Sequence, residues 1–280
     1  MFRLKFKDDT AIIKQTMRVI TPVCNSPEFI RIQVKALREH LGGTPFELIV
    51  FNDAKDFADV TNFGDTGMRE RITQTCNSLS LRCFNVPNDH HRYQTSPSHR
   101  HANTLRFMLA FMREFPGEYL MLDSDMWPVG PVPLAAYRAA PAGAWVLQTR
   151  GSIHYVWPNL FFVDTRRVDI RGLNFDVTPG CDTGGGSAAW LSEHKEGVVW
   201  IPHLPSCTWN AKQWPESATW HKEALLEFCE ADARNREGGY WCEIYDSVFF
   251  HYRAASNWNG EGSETHLGNF REIAARLLAP

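Results

Sequence analysis

Residues 118–132 read EYLMLDSDMWPVGPV. Tyr119 to Leu122 form a short apolar run, the signature of a buried strand. Two carboxylates, Asp123 and Asp125, follow it at once, and Pro128 and Gly130 then bar a helix. In an open α/β sheet, ligands bind outside the carboxyl ends of the strands. Magnesium and manganese take oxygen ligands and often join a carboxylate to substrate phosphates. A strand that runs straight into D-x-D therefore reads as a metal site. A bare D-x-D is also a common solvated turn, so its surroundings decide.

Those surroundings are α/β. Met17 to Val23 (MRVITPV) reads as a buried strand. Ser26 and Pro27 then start a helix, the hydroxyl as cap and the proline in the first turn. Ile30, Val34, Leu37 and Leu41 follow at helical spacing, and Gly42-Gly43 ends the helix. Phe46 to Phe51 (FELIVF) is the second strand. This order favours a parallel pair with a right-handed crossover. Residues 54–79 read as helix plus loop, 81–86 (LRCFNV) as a third strand, and 87–100 as a His-, Pro- and Ser-rich loop. Residues 101–115 form a helix with Leu105, Met108, Leu109 and Met112 on one stripe. Phe107, Phe111 and Phe115 beside that stripe predict that most of the helix is buried.

The second half has a different character. All ten tryptophans lie at or after Trp127. Residues 144–149, 159–164 and 248–252 read as strands, 187–194 and 272–278 as helices, and 200–220 as loops and short strands. No internal repeat or low-complexity linker appears. The fold class is α/β: a Rossmann-like mixed sheet flanked by helices in a single domain. About 15–126 would serve a nucleotide and about 127–280 an acceptor.

Composition narrows the function classes. The chain has 280 residues, 44% hydrophobic and 22% charged, with a net charge of −3. No basic field points to nucleic acid or an anionic membrane. The seven cysteines are odd in number and contain no C-x-x-C, which argues against a disulfide framework and a cysteine-rich zinc site. The N-terminus lacks a signal-peptide run and no stretch reaches membrane-span length, so the expected setting is the cytoplasm, as in a soluble bacterial or viral-type enzyme. H-E-x-x-H and G-x-S-x-G hydrolase signatures are absent. The segment TPVCNSPEF lacks the Gly-rich loop of sugar nucleotidyltransferases, which ranks that alternative lower. A non-catalytic carbohydrate-binding module would explain the tryptophans, but neither the nucleotide-like first half nor the triplet.

The 118–132 stretch resembles the metal-binding segment of nucleotide-sugar glycosyltransferases with the GT-A fold, and the resemblance spans roughly residues 15–260. It implies transfer of a sugar, most simply from a uridine diphosphate sugar, to a glycan or other hydroxyl acceptor. Mn²⁺ or Mg²⁺ would sit on Asp123 and Asp125 beside Ser124. Near the C-terminus, FFHYRAASNW resembles the H-x-x-G-x-x-K-P-W segment of glycogenin-like members and makes His251 the third metal ligand. Ala254 replaces the Gly, Asn257 replaces the Lys, and Trp258 comes one residue early. The lysine that would hold the diphosphate is thus missing, leaving Arg253, Ser256 or Asn257 as substitutes. A buried core histidine is the plain alternative for His251.

The resemblance places the nucleoside along Thr21, Pro22 and Val23. Asp53 would meet the base or ribose there, or simply make the Asn52-Asp53 turn. Arg100 and Arg106 are cations against the donor, or ordinary paired arginines. Asp182, in CDTGGGSAAW, is the candidate base of an inverting reaction or a sugar contact in a retaining one. Its structural alternative is a helix cap, with Thr183 as a second cap. Glu243 and Asp246 are weaker candidates that would also suit a solvated face. Trp157, Trp209 and Trp258 are the tryptophans expected near the acceptor. His90, His91, His99 and His101 crowd one stretch at no standard zinc spacing. They read as a polar loop, or as a lid that orders over the donor.

Overall fold

A computed structural model describes residues 16–204, 213–231, 242–253 and 263–279. Two sheets organise them. The larger has seven strands: β1 (Met17–Val23), β2 (Phe46–Asn52), β3 (Arg82–Asn85), β4 (Glu118–Leu122), β6 (Ala144–Arg150), β7 (Ile153–Asp164) and β8 (Val199–Trp200). Their order is β3-β2-β1-β4-β7-β6-β8. The chain is therefore a mixed α/β protein, as its sequence predicts. β3, β2, β1 and β4 are parallel, and β7 turns antiparallel against β4. A parallel set sends every strand end to one edge. Val23, Asn52 and Leu122 thus finish side by side, followed by Cys24, Asp53 and Asp123.

Alternation along β1 explains the layering. Met17, Val19 and Val23 face one apolar layer with Ile30, Val34 and Leu37 of α1 (Glu28–His40) and Ile72 of α2 (Met68–Ser78). Tyr137 of α4 (Leu134–Ala139) joins that layer. Ile20 faces the opposite layer with Leu105, Met108 and Leu109 of α3 (Pro97–Glu114) and Trp190 of α5 (Ala188–His194). Trp145 stacks on Phe161 there, with ring centroids 4.5 Å apart.

The second sheet has the order β5-β11-β10-β9, from β5 (Met126–Pro128), β9 (His203–Leu204), β10 (Cys242–Tyr245) and β11 (Phe249–Tyr252). It covers a third apolar layer with α1, α6 (Lys222–Ala231) and α7 (Ser263–Leu278), where Phe29 meets Phe270 at 4.3 Å. Among the described residues no helix is long and apolar enough to cross a membrane. No disulfide joins the described cysteines. Trp127, Trp145, Trp190, Trp214 and Trp220 are core residues.

The structure corrects several local expectations. Ser26 does not cap α1: it sits at φ 46 and Pro27 takes the cap position. α3 starts at Pro97, four residues earlier than its stripe suggests, because Pro97 supplies a first turn without needing its missing N–H. Residues 87–100 are accordingly not all loop. Phe107 is 44% exposed, so α3 buries a single stripe. β7 begins at Ile153, not 159. Pro158 fits inside it because the register with β6 slips between Trp145 and Val146, where no ladder bond is required of it. Thr183 does not cap a helix; its hydroxyl donates to the Ser98 carbonyl at 2.9 Å. α7 starts at Ser263, well before residue 272.

Candidate active site

The turn after β4 is built by backbone pairing. Asp123 N donates to Asn159 O at 2.8 Å, and Ser124 N donates to Asp123 Oδ1 at 2.9 Å. The Asn159 amide donates to Asp123 Oδ2. From below, the wholly buried Gln33 of α1 donates through Nε2 to the carbonyls of Asp123 (2.8 Å), Ser124 (3.3 Å) and Met126 (2.9 Å). Gln33 was invisible in the sequence, since one polar residue in an apolar stripe carries no label.

β5 then pairs antiparallel with β11, setting His251 opposite Met126, and Tyr252 N donates to Asp125 O at 2.9 Å. This pairing carries His251 across 126 residues of chain (251 − 125) to Asp125. His251 Nε2 lies 3.4 Å from Asp125 Oδ1, a buried oxygen that accepts no hydrogen bond among the described residues. Asp123, Asp125 and His251 offer one ligand atom each, all within 4.8 Å of one another. One divalent ion with bonds of about 2.1 Å spans such a set after small side-chain shifts. The orphaned oxygen and the two-carboxylate, one-imidazole chemistry fit manganese or magnesium.

Glu243 of β10 supports the histidine. Its Oε2 receives His251 Nδ1 at 3.1 Å and Tyr245 OH at 3.0 Å, while His203 Nε2 lies 3.3 Å from Oε1. Metal-binding imidazoles are usually oriented by such an outer carboxylate. Glu243 is 3% exposed, so it does not belong to a solvated face. Asp246 instead accepts a hydrogen bond from Tyr137 OH.

Charge is concentrated here. Burial pushes Asp123 up to about 6, and the neighbouring Asp125 adds to the rise. Burial alone would depress His251, but Asp125 and Glu243 overrule it and lift it to about 10. Burial would raise Glu243, yet the hydrogen bonds from His203 and His251 hold it far below the usual carboxylate range. His251 is thus raised above its unfolded value of about 6.5. Its contribution to stability is complete below that pH and is lost as pH rises towards 10. In chelator, the melting temperature is expected to fall between pH 7 and 10, and Glu243→Gln to move that fall to lower pH. Unchanged profiles in both proteins would refute the charged His251–Glu243 pair.

Asp123, Asp125 and His251 line a cleft of about 330 Å³, within the range of small-molecule sites. Pro22, Val23, Asp53, Trp157 and Asp182 also line it. Thr21 is buried and is not among its lining residues. The Asp53 carboxylate is held by Lys55 Nζ at 2.9 Å and by Asn88 Nδ2 at 2.8 Å. Asp182 is exposed, and its Oδ1 accepts from Thr183 N at 2.8 Å. Trp157 stacks on Tyr245 at 5.1 Å and puts an edge against His251. Arg100 reaches the cleft with its guanidinium bound to Asp59 at 2.9 Å and to the His91 carbonyl at 2.7 Å. Arg106 is outside it, on the surface, bonded to Asp176 at 2.7 Å. Trp209, Ser256, Asn257 and Trp258 lie outside the described residues.

The four histidines do not form one group, although the His90 and His91 rings meet edge to face at 4.5 Å. His90 and His99 are exposed, on Asn103 and on Ser96 respectively. His91 is buried near Asp53, and burial lowers it to about 4 despite that carboxylate. His101 lines the cleft.

No protein-family description matches this chain, and no curated protein does. Solved structures match at low identity. The galactosyltransferase LgtC, in complex with donor and acceptor sugar analogs, is 12% identical, covering 94% of this chain and 97% of that chain at a TM-score of 0.45. The glycosyltransferase GlyE of Streptococcus pneumoniae TIGR4 is 11% identical, covering 95% and 62%, at 0.41. The mannosyltransferase PcManGT of Pyrobaculum calidifontis, with GDP-Man and Mn²⁺, is 14% identical, covering 68% and 56%, at 0.37. All three are named as transferases of sugars. At these identities and TM-scores the likeness assigns this chain neither a family nor an activity.

Proposed function

We propose that this chain is a metal-dependent glycosyltransferase that moves a sugar from a nucleoside diphosphate sugar, uridine diphosphate being the first choice, to a hydroxyl acceptor. The observation that carries this reading is the meeting of Asp123, Asp125 and His251 at the carboxyl edge of the parallel strands, in one cleft with Asp53 and Asp182. Asp123, Asp125 and His251 would hold Mn²⁺ or Mg²⁺. When bound, that ion supplies positive charge to the diphosphate as it leaves.

The chain's own groups do the rest. Pro22 and Val23 offer an apolar shelf for the nucleoside, and Asp53, pinned by Lys55 and Asn88, presents an acceptor edge to it. Residues up to about 126 mainly serve the donor, and those from 127 mainly the acceptor, with His251 returning to the donor's metal group. Trp157 offers a ring to sugar C–H groups. Asp182 stands exposed on that side. In an inverting course it takes the proton from the acceptor hydroxyl; in a retaining course it contacts the donor sugar. The anomeric configuration of the product separates the two.

A thermal-shift titration with uridine diphosphate, with and without Mn²⁺, tests the reading. At 100 times the dissociation constant the ligand adds about 2.7 kcal/mol. For a chain of this size that raises the melting temperature by about 5–10 °C. The rise should need both nucleotide and metal. No rise with uridine, guanosine or cytidine diphosphate would overturn the proposal and favour a carbohydrate-binding module.

A further inference from the structure

The glycogenin-like segment lacks its diphosphate-binding lysine, because Asn257 stands there. A diphosphate beside a metal still needs donors on its other flank. Among the described residues, the basic side chains that line the cleft are Lys55, Arg100, His101, Arg150, Arg253 and His251, of which Arg150 is exposed and hydrated by solvent. Most of these are committed. Lys55 is bound to Asp53, both to its carboxylate and to its carbonyl at 2.7 Å. Arg100 is bound to Asp59 and His91, and His251 to Asp125 and Glu243. Arg253 lies 3.6 Å from Glu243, on the His251 side.

His101 differs. It sits in the first turn and a half of α3, whose starting residues Pro97 and Ser98 also line the cleft. Its Nε2 is shielded from solvent and has no hydrogen-bond partner among the described residues. A buried ring nitrogen without a partner is costly unless a ligand satisfies it. A helix start also favours negative charge. Thr183 ties this turn to the Asp182 loop through the Ser98 carbonyl, which fixes its position across the cleft.

We infer that His101 is a donor-binding residue whose Nε2–H meets the diphosphate on the flank opposite Asp125 and His251. The inference rests on the proposed donor site and assigns to His101 the work of the absent lysine. It also gives one member of the histidine-rich stretch a task that the zinc and lid readings did not.

The test measures binding, not turnover. Calorimetry with uridine diphosphate and with uridine monophosphate, both in Mn²⁺, is run on the parent chain, His101→Ala and His101→Gln. Loss of one charge-assisted hydrogen bond weakens binding by about tenfold. His101→Ala should therefore lose about tenfold for the diphosphate and clearly less for the monophosphate, with Mn²⁺ binding by itself unchanged. His101→Gln, which keeps an N–H, should recover part of the loss. Equal losses for both nucleotides, or no loss, would overturn the role. Circular dichroism checks the folding of both variants, and a folded His101→Gln suffices if His101→Ala unfolds. A parent chain that binds neither nucleotide sinks the glycosyltransferase reading itself, a failure distinct from a parent that binds both while the variants bind equally well.

Discussion

Asp125→Asn is expected to lower sugar transfer by at least about a thousandfold while the protein stays folded. The substitution keeps the shape of the side chain and removes its charge. Asp125 O still accepts from Tyr252 N, so the β5–β11 pairing survives. His251 keeps its bond to Glu243. The variant also relieves repulsion, since Asp125 helps push Asp123 up to about 6. Gains and losses in the metal-free protein therefore nearly cancel, and its melting temperature should move by only a few degrees. The function does not cancel. A metal ion contributes several kcal/mol to charge stabilisation, and about 4 kcal/mol corresponds to a thousandfold in rate. The joint stabilisation by nucleotide and Mn²⁺ should vanish with the activity. Full turnover in this variant, or in excess chelator, would remove the metal from the mechanism.

Gln33→Leu should lower stability by about 2–4 kcal/mol and weaken metal-dependent nucleotide binding as well. Gln33 touches no ligand. It holds three carbonyls of the Asp123–Met126 turn from beneath. A buried carbonyl left without a donor costs about 1–3 kcal/mol. The variant also discards the Oε1 of Gln33, which has no hydrogen-bond partner among the described residues, and this offsets part of the loss. The balance predicts a fall in melting temperature of about 5–12 °C. The turn then loses its fixed position, so the paired effect on Mn²⁺ affinity separates a supporting role from simple core filling. An unchanged melting temperature would mean that water replaces the amide and that the turn stands without it.

Much of the architecture was legible from local pattern. The strand at 17–23, the helix ended by Gly42-Gly43, the strand at 46–51 and the strand entering Asp123 depend on alternation and helical spacing, which the sequence carries directly. β5 and β10 were not legible. Three or four residues beside a proline or between loops have too little pattern to mark a strand, and they exist because β11 pairs with both. The length of β7 was hidden by Pro158, which only a register slip accommodates.

The site divides in the same way. Asp123 and Asp125 are neighbours in sequence, and the apolar run before them puts both at a strand end. That much is determined by the sequence alone, with the α/β order and the absence of a cysteine framework. The tertiary structure decided the rest. His251 joins Asp123 and Asp125 in a group that could hold a metal ion through β5–β11 pairing. Glu243 becomes its orienting carboxylate through β10–β11 pairing. Gln33 becomes the support of the turn through the packing of α1. The reason is physical: a side chain's neighbours along the strand are set by chain spacing, while its neighbours across the sheet and between layers are set by pairing register and burial, which only the closed fold establishes.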